Sequence, residues 1–253
     1  MRKFAFFILF LTFCQLLFAQ QAGETVIGDF VIMGKTLVRY TGKEQNTLII
    51  PANLGITEIG PGVFGRSNLR NVRIPEGVTT IGTDAFANSR LEAIQLPSSL
   101  RVIGSRAFYG CKSLASIVLP ASVTRIGEGA FCYSGLAQIA LPAQLRVIEP
   151  FTFYECTKLT DISLPDNVYE IGHSAFYKSG LTRIRFNEGL TTIGASAFSQ
   201  CTELVGVFLP ASLTSVGELA FAGCGKLQNI RISTHTAIGH DAFQGTRGRP
   251  TYY

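Results

Sequence analysis

Three histidines, His173, His235 and His240, are the side chains of this 253-residue sequence best suited to metal ligation or proton transfer. His173 and His240 occupy the same place in a recurring pattern of 22 or 23 residues, three periods apart. If each period adds one strand to a sheet, at roughly 4.8 Å per strand, the two imidazoles stand too far apart to share a zinc ion. They read as exposed surface histidines. Asp84 and Asp241 also share one place in the pattern with no second acid beside them, so the carboxylate pair that glycoside hydrolysis requires is unsupported. No C-x-x-C, G-x-S-x-G, H-E-x-x-H or P-loop pattern occurs. With no convergent set of titratable groups, no enzymatic activity, metal or other cofactor is expected.

Cysteine chemistry is constrained by the same period. Six cysteines are present, and Cys14 lies in an N-terminal apolar run, which leaves five. Cys111 and Cys156 are two periods apart, roughly 10 Å in a stacked array and beyond disulfide reach. Only Cys201 and Cys224, in adjacent periods, are placed to pair; the competing reading, which the spacing favours, is a buried thiol acting as a small apolar residue.

The element that positions all of these is a repeat. Phe64, Phe86, Phe108, Phe131, Phe153, Phe176, Phe198, Phe221 and Phe243 recur at 22 or 23 residues, all but the last followed by a turn and by L-x-x-I-x-L-P and V-x-x-I-G or close variants. A fixed period of this length predicts a solenoid whose units bury their apolar faces only against one another. In Leu114–Pro120, Ile117 and Leu119 alternate with outward residues, the mark of a strand, and Pro120 ends it because it has no N–H for a ladder bond. Val123, Ile126 and Gly127 then form a second side of the coil before Ala130-Phe131 re-enters the core. Stacking predicts an isoleucine ladder and a phenylalanine ladder, each ring burying on the order of 150–250 Å². Two turn lengths occur. With Ser67, Ser89, Ser134 or Ser179 three places after the phenylalanine, the next leucine is five positions from the ring; with Cys111, Cys156, Cys201 or Cys224 it is six.

Arg2 and Lys3, then the apolar run Phe4–Phe18 ending at Ala19, have the layout of a cleaved secretory signal over residues 1–19. A retained anchor is the rival, disfavoured by length; lipidation at Cys14 would require a small residue before it, and Phe13 is large. Without Arg2 and Lys3, the 22 basic residues fall to 20 against 17 acidic, a net charge of +3 with no Lys/Arg run, so nucleic acid is not an expected partner.

The pattern L-x-x-I-x-L-P-x-x-V-x-x-I-G-x-x-A-F, quoted from Leu114 through Phe131 with cysteines at Cys111 and Cys156, resembles the BspA-like, Treponema pallidum-type leucine-rich repeat family from about Leu48 to Phe243. Local departures are Glu149-Pro150 at the glycine position, Asn187 and Ser233 in place of proline, and His235 where an apolar residue is expected. The resemblance implies a β-rich α/β solenoid, a right-handed leucine-rich-repeat superhelix with a parallel concave β-sheet. Gly28–Ile50 resembles the N-terminal β-hairpin cap that precedes such arrays and shields the first repeat's apolar edge. The organisation expected is a signal (1–19), a cap (20–50), repeats (51–243) and a short polar and aromatic tail (244–253). The resemblance further implies a secreted, periplasmic or cell-surface protein that binds a host matrix protein such as fibronectin or fibrinogen, or another cell surface, without catalysis. Membrane attachment is expected only through the signal or a lipid anchor.

The partner-facing positions expected on the strand face are Arg73, Val118, Ala140, Arg183, Arg185, Val205, Phe208 and Arg231. The middle of that face is rich in small residues and its arginines lie toward the ends. Phe208 and Val205 are either an interaction patch or ordinary scattered surface apolars. A contiguous patch of Arg183, Arg185 and Phe208 is expected. Self-association into a structural envelope protein through Phe208 is the alternative.

Overall fold

The structure, a computed structural model, describes residues 23–43 and 45–253; the expected signal sequence lies outside the described residues. The cap is a three-stranded antiparallel meander, β1 (Glu24–Ile27), β2 (Phe30–Met33) and β3 (Thr36–Tyr40), one strand more than the expected hairpin. β3 pairs in parallel with Glu58–Ile59, so the cap continues directly into the repeats. Among the described residues the one helical segment is the 3-10 turn Ala52–Leu54, and the α component of the expected class reduces to that turn.

Two parallel strand columns run the length of the array. The V-x-x-I-G segments form one, in register from Glu58–Ile59 to Arg125–Ile126 and again from Val147–Ile148 to Ala237–Ile238. The break falls at the Glu149 departure, and its cause is steric. A Cβ on Gly127 would lie 2.6 Å from Ser105 N, and one on Gly194 2.6 Å from His173 N, so this column packs backbone against backbone. Glu149 carries the Cβ that the column excludes. The adjacent Pro150 sacrifices no bond, because Ser105, Glu128 and His173 at its place in other repeats donate none from their main-chain N–H, and its carbonyl accepts from Gly129 N–H at 2.9 Å.

The L-x-x-I-x-L segments form the second column, which is divided differently. Ladders join Thr47–Ile49, Asn71–Arg73 and Ala93–Gln95; then Ser116–Ile117 with Gln138–Ile139; then Asp161–Ser163 with Arg183–Arg185; then Gly206–Phe208, Asn229–Ile232 and Pro250–Tyr252. Every break falls where a five-position turn is followed by a six-position turn. The residue inserted by the longer turn offsets the next strand from its predecessor, whereas strands separated by 22 residues stay in step. Two long turns in succession, before Val207 and Ile230, carry the same offset and pair again.

Between the columns the phenylalanines stack. Consecutive rings from Phe64 to Phe243 stand 5.0–5.7 Å apart and nearly parallel, and the widest gap, Phe131 to Phe153, lies at the Glu149 break. Phe30 and Tyr40 extend the stack into the cap. Residues two places before and after each ring adopt the left-handed conformation, glycine in some repeats but Asp84, Arg106, Tyr133, Phe151 and Leu219 in others.

The cysteines explain the serine alternation. Cys111, Cys156 and Cys201 Sγ donate to the carbonyls of Phe86, Phe131 and Phe176 at 3.0–3.2 Å. Each also touches the hydroxyl of the preceding repeat's serine, Ser89, Ser134 or Ser179, at 3.2–3.5 Å. All five described cysteines are free, so Cys201 and Cys224 are unbridged. Burial raises the Cys111, Cys156 and Cys201 thiols to about 11. Where proline is missing, Asn187 Nδ2 donates to Asp166 O and Val168 O, both at 2.8 Å. Thr236, not His235, fills the expected apolar place: it is buried and its hydroxyl donates to Leu213 O.

Candidate interaction face

Alternation along the L-x-x-I-x-L strands sends Val72, Ile117, Ile162, Ile184, Val207 and Ile230 into the core. Their neighbours point outward, and all eight expected partner-facing residues are exposed: Arg73, Val118, Ala140, Arg183, Arg185, Val205, Phe208 and Arg231. Val118 is 84% exposed and Phe208 52%, the two most exposed large apolar side chains among these eight positions.

The face is divided into paired groups of strands, and neighbouring groups still touch: Val205 N–H donates to Thr182 O at 3.3 Å across one such division. Arg183 lies opposite Asp161 in register and binds its carboxylate at 3.2 Å, and Arg185 lies opposite Ser163. Phe208 belongs to the next paired group of strands and lies opposite Arg231. Its ring stacks on Tyr253 at 5.6 Å and 7°, and the Arg231 guanidinium covers both rings at 5.2 and 5.5 Å. Phe208 thus packs with Arg231 and Tyr253, on the strand next to the one that carries Arg183 and Arg185.

Tyr253 arrives there because the C-terminal segment is a strand. Pro250–Tyr252 pairs with Ile230–Ile232, Gly248 N–H donates to Leu227 O, and the Tyr253 hydroxyl donates to Leu209 O at 2.6 Å. A ten-residue segment expected as a tail closes the end of the sheet. The strand signal Pro250-Thr251-Tyr252 is too short to have been legible alone. Ile49, 61% exposed beside Arg73 in register, also belongs to this face and is recognisable only once the strand Thr47–Ile49 is assigned.

Among the described residues no cluster of histidine, cysteine and carboxylate side chains is arranged to hold a metal. His240 Nδ1 stands 3.1 Å from the Asp241 carboxylate, and the His173 ring packs edge-on against Phe151. No helix of the described residues is long and apolar enough to cross a membrane.

Two stacked parallel strand columns around a phenylalanine core, set by a 22–23-residue period, define a leucine-rich-repeat solenoid. The model of the BspA type leucine rich repeat region matches residues 39–149 and 124–248 in 6 copies, and the chain belongs to that family. Among solved structures it is similar to the leucine-rich repeat protein of T. pallidum, at 29% identity over 81% of this chain and 86% of that one, with a TM-score of 0.54. A Bacteroides ovatus leucine-rich repeat protein shares the fold at 21% identity, covering 92% of this chain and 91% of the other, TM-score 0.50. A leucine rich cell surface protein from Faecalibacterium prausnitzii aligns over 92% of this chain and 96% of its own length at 22% identity, TM-score 0.46. A search of curated proteins finds no match.

Proposed function

We propose that this protein is exported and binds a protein partner through the outward face of its L-x-x-I-x-L strands. The observation that carries the reading is the Phe208–Arg231–Tyr253 cluster: two stacked aromatic rings under a guanidinium, half exposed and next to the exposed Val205. Aromatic and arginine side chains of this kind dominate the energetics of many interfaces. They are also prearranged, since the two rings stack on each other and the Tyr253 hydroxyl donates to the Leu209 carbonyl, so little side-chain freedom remains to be lost on binding. Extracellular matrix proteins such as fibronectin and fibrinogen are the proposed partners. Immobilised matrix proteins should retain the purified protein, and Phe208→Ala should weaken retention by about 2 kcal/mol. Equal retention of parent and variant overturns the reading.

Self-association is the second reading, favoured by Val26, Ile27 and Met33, which are 42–49% exposed at the cap end of the sheet. Light scattering across a concentration series distinguishes the two: a concentration-independent oligomer supports self-association, and a monomer removes it.

A further inference from the structure

A second surface lies on the turn side of the coil, away from the strand face. Tyr109, Tyr133, Tyr154 and Tyr177 form a row of half-buried rings with centroids 5.5, 5.5 and 4.8 Å apart, and Phe151 flanks Tyr154 at 5.8 Å. Tyr133 and Phe151 occupy left-handed positions, φ 57° and 56°, where other repeats place Gly110 or Gly129. Large aromatic side chains in that conformation cost about 1–2 kcal/mol each and persist where surroundings or function hold them. Stacking in the fold does not require them, because the repeats that carry glycine there stack equally well.

The row has a hollow on either side. One, of about 220 Å³, opens where Gly129 leaves out a side chain, and is walled by Tyr109, Phe151, Arg106 and Glu128. The other, of about 380 Å³, is lined by Tyr133, Glu155, Lys112 and Lys158. These volumes lie near the lower end for ligand sites, about 300 Å³, and suit single rings of an extended chain better than an element of a folded partner. The first hollow sets Arg106 beside Glu128 and the second sets Lys112 and Lys158 beside Glu155, so neither presents a single sign of charge to a polyanion or a polycation. An uncharged ligand with many donors and acceptors, and with apolar ring faces to lay on tyrosine, satisfies all of these features.

We propose that the tyrosine row is a binding platform for a neutral polysaccharide, with sugar rings against Tyr133 and Tyr154 and sugar hydroxyls bonded to Glu128, Lys112 and Lys158, while Arg106, paired with Asp84 at 3.0 Å, and Lys178, beside Glu155 at 3.8 Å, lie over Tyr109 and Tyr177. The Tyr133 phenol remains a protonated donor in ordinary conditions, since burial and the neighbouring Glu155 raise it to about 12, and burial raises Tyr154 in the same direction.

Affinity electrophoresis of the purified protein in gels containing laminarin, xylan or hydroxyethylcellulose, with heparin as the polyanionic comparison, tests this. The expected result is retardation by at least one neutral gel, weakened on the order of tenfold by Tyr154→Ala. Tyr154→Phe, which keeps the ring, should retain most of the binding, and Phe208→Ala on the strand face all of it. The chain has no tryptophan and 8 tyrosines, so a tyrosine ultraviolet difference spectrum on adding the polysaccharide reports the row directly. No retardation in any neutral gel, retention by heparin alone, or undiminished retardation of a folded Tyr154→Ala protein overturns the proposal. Loss of matrix-protein binding in Tyr154→Ala without polysaccharide binding assigns the row to a protein partner and overturns it equally.

Discussion

Replacing Gly194 with alanine tests the backbone-to-backbone packing of the V-x-x-I-G column. The added Cβ would lie 2.6 Å from His173 N, 2.8 Å from Gly172 C and 3.0 Å from His173 Cα, all main-chain atoms that no rotamer change moves. The strands must separate. Separation removes the bond from Gly194 N–H to Ile171 O at 2.7 Å and loosens those from Thr191 and Thr192 to Tyr169 O at 2.9 and 3.2 Å. At about 0.5–1.5 kcal/mol net per bond, the expected loss is about 2–4 kcal/mol. Glu149 shows the outcome already built into the chain, a column interrupted where the Cβ is present. The reciprocal change, Glu149→Gly, forfeits the exposed pair with Arg125 at 3.6 Å and adds unfolded-state entropy, so net stability should move by less than about 1 kcal/mol. Hydrogen exchange at position 149 should nevertheless slow as the ladder closes. Urea melts with unchanged slope measure the first effect and native-state exchange the second. A Gly194→Ala protein as stable as the parent, or no added protection at position 149, refutes the steric account.

Phe153, fully buried between Phe131 at 5.7 Å and Phe176 at 5.2 Å, should cost about 3–5 kcal/mol on truncation to alanine, whereas Glu155→Ala in the adjoining turn should cost under about 1 in the same melts. Ser67 Oγ is buried without a partner because Ser89, not cysteine, follows it; Ser67→Ala should be neutral or stabilising by up to about 1 kcal/mol, while Ser134→Ala, which abandons Cys156, should destabilise. Denatured protein prepared without reductant should titrate all five thiols from Cys111 to Cys224, beyond any from Cys14, and a count of three would establish a bridge. The same thiols set an alkaline limit. Their folded values near 11 exceed an ordinary cysteine's, so the unfolded chain loses protons first and stability, intact below about pH 8.5, should fall as pH rises to 11. Replacing Cys111, Cys156 and Cys201 by alanine should reduce that slope, the remainder coming from Cys132 and Cys224, whose thiols burial also raises, and an unchanged slope refutes the assignment.

The period made the architecture legible because a solenoid's core is written in every repeat: each of the nine phenylalanines lies in the stack, and the exposed positions of the strand face follow from simple alternation. The turn-length alternation is equally visible in sequence, but its consequence is not. That a serine-to-cysteine transition interrupts the ladder while the reverse does not depends on the offset between neighbouring backbones, which no single repeat contains. The glycine column was likewise readable as a bend and not as a steric contact, so Glu149 stood out as a departure without revealing the break it causes. The tyrosine row escaped because its members occupy two different places in the repeat, Tyr109, Tyr154 and Tyr177 after the phenylalanine and Tyr133 one residue further on. No single column displays it.

The C-terminal strand changes how Phe208 must be tested. As a bare exposed ring it would contribute little to folding, and its truncation would report on binding alone. Stacked on Tyr253 and covered by Arg231, it also holds the last strand of the sheet, and an aromatic pair of this kind contributes about 0.5–1.5 kcal/mol beyond its buried area. Phe208→Ala should therefore lower stability by about that amount while Tyr253→Ala lowers it further, because the hydroxyl bond to Leu209 O is lost as well. Binding and closure separate through the pair of variants: loss of partner affinity in Phe208→Ala with retention in Tyr253→Ala assigns the contact to the Phe208 ring. Equal loss in both, tracking the drop in melting temperature, means that the partner reads the closed sheet end and not the ring.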